Sequence, residues 1–143
     1  MGRRDIDVDS FVRRKLYVTI ADAVTISIPS DVTANDVTVS ANGDVTLSGA
    51  GKIGGSGTFT KSGTGTLTFN ATGGLDEQTI LITNGVFKVG DNLTGHALGD
   101  ITDSTSIIVR DDGTLDLNYR GDSTAGVTRN KLIKISGDGA CLA

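Results

Sequence analysis

The apolar residues that open successive strand-like segments of this 143-residue chain recur every 20 to 22 residues. A first row of such residues comprises Val24, Val45, Leu67, Phe87 and Ile107, and a second row comprises Val37, Phe59 and Ile80. The intervals are 21, 22, 20 and 20 residues in the first row, and 22 and 21 in the second. Two rows with one shared spacing predict a chain that coils once per interval and lays each strand in parallel on the preceding coil, about 4.8 Å away. Residues 23–139 would supply five to six coils.

Each segment also alternates apolar and polar residues. Val24, Ile26 and Ile28 show this two-residue period, as do Leu67 and Phe69, and the pattern is typical of strands with one face in a core and the other in water. The gaps hold Gly, Asn or Asp, which suit turns, and no window shows a helical apolar period over three turns. The chain is therefore predicted to be all-β, a right-handed parallel β-helix (β-solenoid), because parallel crossover connections are nearly always right-handed.

An antiparallel sandwich is the competing interpretation, because short strands separated by Gly-containing turns also suit hairpins. The dipeptides Asn42-Gly43 and Asn84-Gly85 are typical of two-residue hairpin turns. In a solenoid the same dipeptides would bend the chain at corners between faces. A sandwich gives no reason for a period of about 21 residues, so the spacing favours the solenoid.

The two ends of the chain differ from its middle. We expect an N-terminal cap or irregular segment over residues 1–22, followed by a solenoid repeat domain over residues 23–143. Within the first region, residues 5–16 are expected to form either a short helix or an irregular cap, with Ser10 as the candidate N-cap. The other end gives no capping signal, since the strand-like residues 131–135 run into a Gly-rich turn. This predicts a fragment of a longer array, or a coil edge that another copy covers.

Composition and charge disfavour several classes of function. The formal net charge of -4 argues against a nucleic-acid partner, because phosphate binding needs a basic face. Basic residues near the amino end are mixed with acidic ones, as at a solvated end; they are Arg3, Arg4, Arg13, Arg14 and Lys15, with Asp5, Asp7 and Asp9 among them. The single Cys141 cannot form an internal disulfide. No run approaches the ~18 apolar residues of a membrane span, and the amino terminus lacks the pattern of a signal peptide.

One acidic cluster has the composition of a carbohydrate-active site, because such enzymes use clustered carboxylates on one exposed face. It comprises Asp111, Asp112 and Asp116, with Arg110 and Arg120 nearby. Strand alternation places Arg110 and Asp112 on one side of the chain and Asp111 at a corner. We interpret these carboxylates as turn residues on a solvated corner, and we predict no catalytic residue.

No metal or cofactor site is predicted either. The nonapeptide pattern of calcium-binding β-rolls, GGxGxD followed by an aliphatic residue, is approached by the glycines of 54–57. However, Ser56 and Thr58 stand where charge would help. The single histidine, His96, has no partner His or Cys with which to build a transition-metal site.

The outward residues of the first row include several Thr, as do the flat Thr ladders of ice-binding solenoids. In such a ladder, the two Thr side chains of each Thr-x-Thr unit share one face of a strand, and the units stack on successive coils without interruption. The expected ladder is Thr25, Thr46, Thr68, Lys88 and Ile108. Because the last two members are not Thr, an ice-binding face is not predicted.

The segment TFTKSGTGTLTF at 58–69 resembles the passenger-associated repeat of bacterial autotransporters. That repeat places an apolar residue and a Lys before two Gly and a Thr-Leu-Thr strand; the matching positions are Phe59, Lys61, Gly63, Gly65, Thr66, Leu67 and Thr68. TILITNGVFKVG at 79–90 is similar to the family's strand, Gly turn and second strand. HALGD at 96–100 and SIIVRDDGTLDLN at 106–118 continue the pattern, so that about 60 residues match.

This resemblance implies a non-catalytic structural or adhesive module of an autotransporter-like passenger, secreted or held at the bacterial cell surface. Its implied partners are a host-surface protein or a glycan, with end-to-end or homo-oligomeric association through an uncapped coil. The chain has neither the family's signal peptide nor its translocator barrel, so either a passenger fragment or a surface or phage structural protein with the same coil is expected. The alternative functions are a carbohydrate-active enzyme, either a polysaccharide lyase or a hydrolase, and a phage tail-fibre-type module on the same scaffold.

Overall fold

The structure, a computed structural model, describes residues 4–7, 15–76, 79–91, 98, 106–118, 132–137, 139 and 141–142. The strands in these ranges are β1 (Arg4–Asp7), β2 (Lys15–Ile20), β3 (Val24–Ser27), β4 (Val32–Thr33), β5 (Asp36–Ala41), β6 (Val45–Gly49), β7 (Ile53–Gly54), β8 (Thr58–Ser62), β9 (Thr66–Ala71), β10 (Leu75–Asp76), β11 (Thr79–Val89), β12 (Ser106–Asp116), β13 (Leu132–Ser136) and β14 (Cys141–Leu142). These residues form no helix, and thus none long and apolar enough to cross a bilayer.

The strands form three rows, and within each row they pair in parallel. Row one contains β1, β3, β6, β9, the second halves of β11 and β12, and β14. Row two contains β2, β5, β8, the first halves of β11 and β12, and β13. Row three contains the short strands β4, β7 and β10. The chain passes through rows one, three and two in turn and makes a β-solenoid of about four turns. The parallel solenoid is confirmed, and the antiparallel sandwich is wrong.

The predicted stacking is confirmed over most of the first two rows. Val45 pairs with both Val24 and Leu67, and Leu67 pairs in turn with Phe87. In row two, Phe59 lies between Val37 and Ile80. These side chains are buried and belong to one continuous core, because residues two apart in a strand point to the same face and paired residues of neighbouring strands share that face.

The prediction for Ile107 is wrong. Ile107 pairs with Ile80 in row two, and the row-one residue that pairs with Phe87 is Leu115. The intervals here are therefore 27 and 28 residues instead of 20. Residues 90–105 connect Val89 to the next row-two strand, whereas the equivalent connection one coil earlier spans only 72–78. Because these later coils are longer, about four turns form where five to six were expected.

The described parts of the amino-terminal region are strands. β1 pairs with β3 in row one, and β2 pairs with β5 in row two over six residues. A short helix over 5–16 is therefore wrong for residues 5–7 and 15–16, which join the solenoid ladders. Residues 8–14, including the candidate N-cap Ser10, lie outside the described residues, and the domain boundary at residue 22 stays a prediction.

Three phenylalanines fill the core where rows one and two face each other. The ring centroid of Phe59, from row two, lies 6.3 Å from that of Phe69 and 5.9 Å from that of Phe87, both edge to face. The rings of Phe69 and Phe87, in adjacent row-one strands, stack with centroids 6.2 Å apart. Such pairs contribute roughly 0.5–1.5 kcal/mol beyond their buried area, so this cluster holds the two rows together.

Candidate functional site

The acidic and amide side chains at the corners hydrogen-bond to the next coil. In each case a side-chain oxygen accepts a backbone N–H located 21 or 22 residues later: Asp31 Oδ1 from Lys52 at 2.9 Å, Asp36 Oδ1 from Thr58 at 3.1 Å, Asn42 Oδ1 from Thr64 at 3.3 Å and Asp44 Oδ1 from Thr66 at 3.1 Å. Backbone donors at corners need such partners because the strand ladders are interrupted there. These four side chains therefore link successive coils by hydrogen bonds.

The acidic cluster at 110–116 lies mostly on an exposed corner. Asp111 has a left-handed backbone, with φ at 56°, in the bend between the two halves of β12, which agrees with its predicted corner position. Its Oδ2 lies 3.7 Å from Arg110 Nε, and the two side chains are 67% and 51% exposed. An ion pair this open to water contributes little to stability. Asp112 is also exposed, and Arg120 lies outside the described residues.

Asp116 does not converge with Asp111 and Asp112. Its Oδ1 accepts the backbone N–H of Asn118 at 2.7 Å. Asn118 Nδ2 in turn donates to the carbonyl oxygen of Val89 at 2.9 Å and to Asp91 Oδ1 at 2.7 Å. This chain of bonds ties the end of β12 to the end of β11, and sequence reasoning missed it because the two segments are 27 to 29 residues apart.

Over the described ranges, no three His, Cys, Asp or Glu side chains are placed to hold a metal ion. The glycines near the calcium-roll pattern have a packing function instead. In the preceding coil, the carbonyl oxygen of Ala34 would collide with a side chain at Gly55, and that of Asn35 would collide with a side chain at Gly57. These positions are thus small because two backbones approach closely. His96 lies outside the described residues.

The outward faces of the solenoid are polar but irregular. On row one, the column contains Thr25, Thr46 and Thr68 in succession and continues with Lys88. The next member is Asp116 and not Ile108 as expected; Ile108 pairs with Leu81 on row two. Ile108 lies on row two for the same reason as Ile107, namely the longer connection after Val89. The Thr ladder is interrupted, as the sequence predicted, although by a different final residue.

Lys61 is the one charged or polar side chain that the described part of the chain buries completely. It lies on the inward side of β8, between Val39 of β5 and Ile82 of β11. Its Nζ donates to the carbonyl oxygens of Ser62 at 2.9 Å, Gly63 at 2.8 Å and Asn84 at 3.1 Å. Burial lowers the pKa of Lys61 from 10.5 to about 8, because desolvation disfavours the charged form.

The sequence singled out Lys61 only as a match to the autotransporter repeat. Strand alternation could have found it, since Lys61 follows the inward Phe59 by two residues and therefore shares its face. The ammonium is sealed from solvent and bonded to backbone carbonyls, so a substrate has no access to it. We therefore assign Lys61 to the architecture of the corner and not to chemistry.

No protein-family model, curated protein or solved structure matches this chain. The resemblance of residues 58–69 to the autotransporter repeat therefore stays a prediction.

Proposed function

We propose that this chain is a non-catalytic structural and adhesive module of a bacterial surface or secreted protein, similar to an autotransporter passenger. The observation that supports this proposal is the use of the corner side chains. Asp31, Asp36, Asn42 and Asp44 are bonded to backbone N–H groups of the next coil. Carboxylates that already accept hydrogen bonds from the next coil are poorly placed for general acid–base catalysis, which needs groups free to reach a substrate.

The outward strand faces are the surfaces on which such a module would bind. Row one presents Thr46 and Thr68 side by side, and row two presents Thr38 and Thr60 in the same way. Hydroxyl groups on adjacent strands can both donate and accept hydrogen bonds. A glycan or a loop of a host-surface protein offers complementary groups, and these are the partner classes that we propose.

The coil edge suggests a further partner, another copy of the chain. Ile135 pairs with the buried Val109 and therefore stands at an inward position of row two, yet its side chain is 47% exposed. An apolar residue of the core phase is thus left open to water at the last described row-two strand. Open strand edges of this kind favour pairing with another chain, and we propose end-to-end association of copies through this edge.

A carbohydrate-active enzyme is the second candidate. It is favoured by one observation, the exposed contact between Arg110 and Asp111 beside the exposed Asp112. A basic residue and two carboxylates at one corner could in principle act on an acidic or neutral polysaccharide. Its predicted signature is product release, which an adhesive module would not give. A phage tail-fibre-type module on the same scaffold would share the absence of turnover and differ in its binding target.

One binding-and-turnover experiment separates these candidates. The purified chain is incubated with a panel of immobilised glycans and host cells, and both retention and released reducing or unsaturated sugar are measured. We expect saturable retention without product. Two face variants, Thr46→Arg with Thr68→Arg and Thr38→Arg with Thr60→Arg, identify the binding row because one of them should lose retention.

The matched control for the face variants is Asp111→Asn with Asp112→Asn, which alters only the exposed corner. This variant should bind like the unmodified chain. Product formation that this double substitution abolishes would establish the enzyme instead. Failure to bind any glycan or cell, with no product, would contradict the adhesive part of the proposal.

A further inference from the structure

The burial of Lys61 is energetically costly and calls for a physical reason. Its side chain is 0% exposed and lies in an otherwise apolar inward column between Val39 and Ile82. An aliphatic residue at this position would pack without the cost of removing an ammonium from water. The desolvation that lowers the pKa of Lys61 is the sign of that cost.

The three acceptors of the ammonium come from two successive coils. Ser62 ends β8 and Gly63 begins the corner that follows it, and Asn84 belongs to the equivalent corner within β11 in the next coil. A lysine ammonium has three N–H donors, so each donor has one carbonyl oxygen. The side chain thereby joins the turn at 62–65 to the turn at 83–85 from inside the solenoid.

The backbone of the second corner leaves space for this ammonium. Gly85 has φ at 67°, and a Cβ at this position would lie 2.9 Å from Lys61 Nζ. It would also collide with the carbonyl oxygens of Gly63 and Gly65. Both the left-handed backbone and the crowding against these carbonyl oxygens require glycine, and the missing side chain also leaves room for the ammonium.

No second charge compensates the ammonium inside this part of the core. The residues that pair with Lys61, Val39 and Ile82, carry no titratable group, and neither does Phe59, its inward neighbour on β8. The carboxylate at the corner above, Asp44, is exposed and accepts the N–H of Thr66. The carbonyl oxygens are therefore what makes the burial of this charge tolerable.

Only one register between β8 and β11 provides all three acceptors, because Asn84 lies on β11 whereas Ser62 and Gly63 directly follow Lys61 and move with it. A slip of one residue would turn Lys61 outward and turn its neighbours inward, because strand side chains alternate. A slip of two residues would keep Lys61 inward, but it would move the Asn84 carbonyl oxygen away from Nζ by roughly 7 Å along the strand. The ammonium would then keep the carbonyl oxygens of Ser62 and Gly63 but leave one buried N–H donor without an acceptor, which is unfavourable.

We propose that Lys61 is a register lock, a buried cation that fixes the pairing of β8 with β11 and the position of the corner at residues 62–65. Such a residue stabilises the native register only slightly, but it destabilises the slipped registers by a larger amount. Buried polar residues specify register in other folds at a cost in stability. The inference is independent of any binding partner of the solenoid.

The lock is first tested in the unmodified chain by NMR of its lysine side chains. A buried ammonium with three carbonyl acceptors should exchange its protons slowly and give a resolved NH3+ signal. That signal should show NOEs to Gly85 and should titrate well below 10.5, the ordinary lysine pKa, because burial lowers the pKa of Lys61. If the Lys61 ammonium exchanges fast and titrates at the ordinary lysine pKa, Lys61 does not occupy the corner and the proposal is wrong.

The second test is amide hydrogen exchange in Lys61→Met, a variant of similar length without charge. Two backbone hydrogen bonds involve the corner at residues 62–65: Gly65 N–H donates to Ala41 O at 2.9 Å, and Val86 N–H donates to Gly65 O at 3.2 Å. We expect exchange at Gly65 and Val86 to become at least tenfold faster relative to the row-three amide of Ile53, with doubled corner signals if the register slips.

Lys88→Met is the matched control, because Lys88 lies on the outward face of row one and is only half-buried. It should leave the corner amides unchanged. Unaltered exchange at Gly65 and Val86 in Lys61→Met, with single signals, would overturn the register lock. Should Lys61→Met fail to fold, a fast-exchanging Lys61 ammonium in the unmodified chain would still overturn the proposal.

Discussion

Replacement of Leu67 by Ala should destabilise the fold far more than replacement of its outward neighbour Thr68. Leu67 is 0% exposed and is paired with Val45 on one side and Phe87 on the other. The substitution removes three carbon atoms, which costs roughly 2.4 kcal/mol at about 0.8 kcal/mol per buried group. The strands on both sides hold the backbone about 4.8 Å apart, so the cavity cannot collapse and adds to the cost. We expect a loss of ~3–5 kcal/mol.

Thr68→Ala is the matched control because it changes the same strand by a similar size on the opposite face. Thr68 stands in the outward column between Thr46 and Lys88, and its replacement should cost less than ~1 kcal/mol. Urea unfolding followed by far-UV circular dichroism measures both free energies of unfolding. Equal and small losses for the two variants would refute the assignment of Leu67 to a closed interior column.

Three further predictions concern the corners and the coil edge. The folded-state pKa of Lys61 is lowered from 10.5 to about 8, so the unfolded chain binds more protons between these pH values. The free energy of unfolding should therefore rise with pH across this window by up to ~3 kcal/mol relative to Lys61→Met. Parallel pH profiles of the two proteins in urea titrations would contradict the burial of this charge. Asp44→Ala removes the acceptor of the Thr66 N–H and should cost ~1 kcal/mol in the same assay, whereas Asn at this position should retain most of the stability. Ile135→Asp should suppress concentration-dependent association in sedimentation velocity, because it places a charge on the open edge of row two; an unmodified chain that stays monomeric at all concentrations would exclude end-to-end association.

The period of apolar residues was sufficient to predict the solenoid and most of its register. Val45 and Leu67 could be paired from sequence because each coil up to that point uses nearly the same number of residues. The pairing of Ile107 could not be predicted in this way, since the long connection over 90–105 changes the period. A fixed interval carries information only while the connections between rows keep their length.

Row three was missed for a related reason. Val32, Ile53 and Leu75 are 21 and 22 residues apart and pair in parallel, so their spacing matches that of the other rows. Each belongs to a strand of only two residues, which is too short to show alternation. A search for single apolar residues at the common interval would have found this row.

The candidate site was predicted only in part. The exposed corner at Asp111 follows from alternation and from the turn preference of Asp. The bonds of Asp31, Asp36 and Asp44 to the next coil could not be read from sequence, because they depend on which backbone N–H groups the ladder leaves unpaired. The burial of Lys61 was readable in principle from its phase in β8. A charged residue at that phase is easily set aside as an interruption of the pattern.

The stacking of residues about 22 positions apart is tested most directly by spin labels on adjacent coils. With Cys141 replaced by Ser, nitroxide labels at Thr46→Cys and Thr68→Cys would lie on paired outward positions, with backbones about 5 Å apart. Strong dipolar broadening of the continuous-wave EPR spectrum is predicted for this pair, and weaker broadening for labels at positions 46 and 60, which belong to different rows. A spectrum of the 46/68 pair that equals the sum of the single-label spectra would contradict the solenoid.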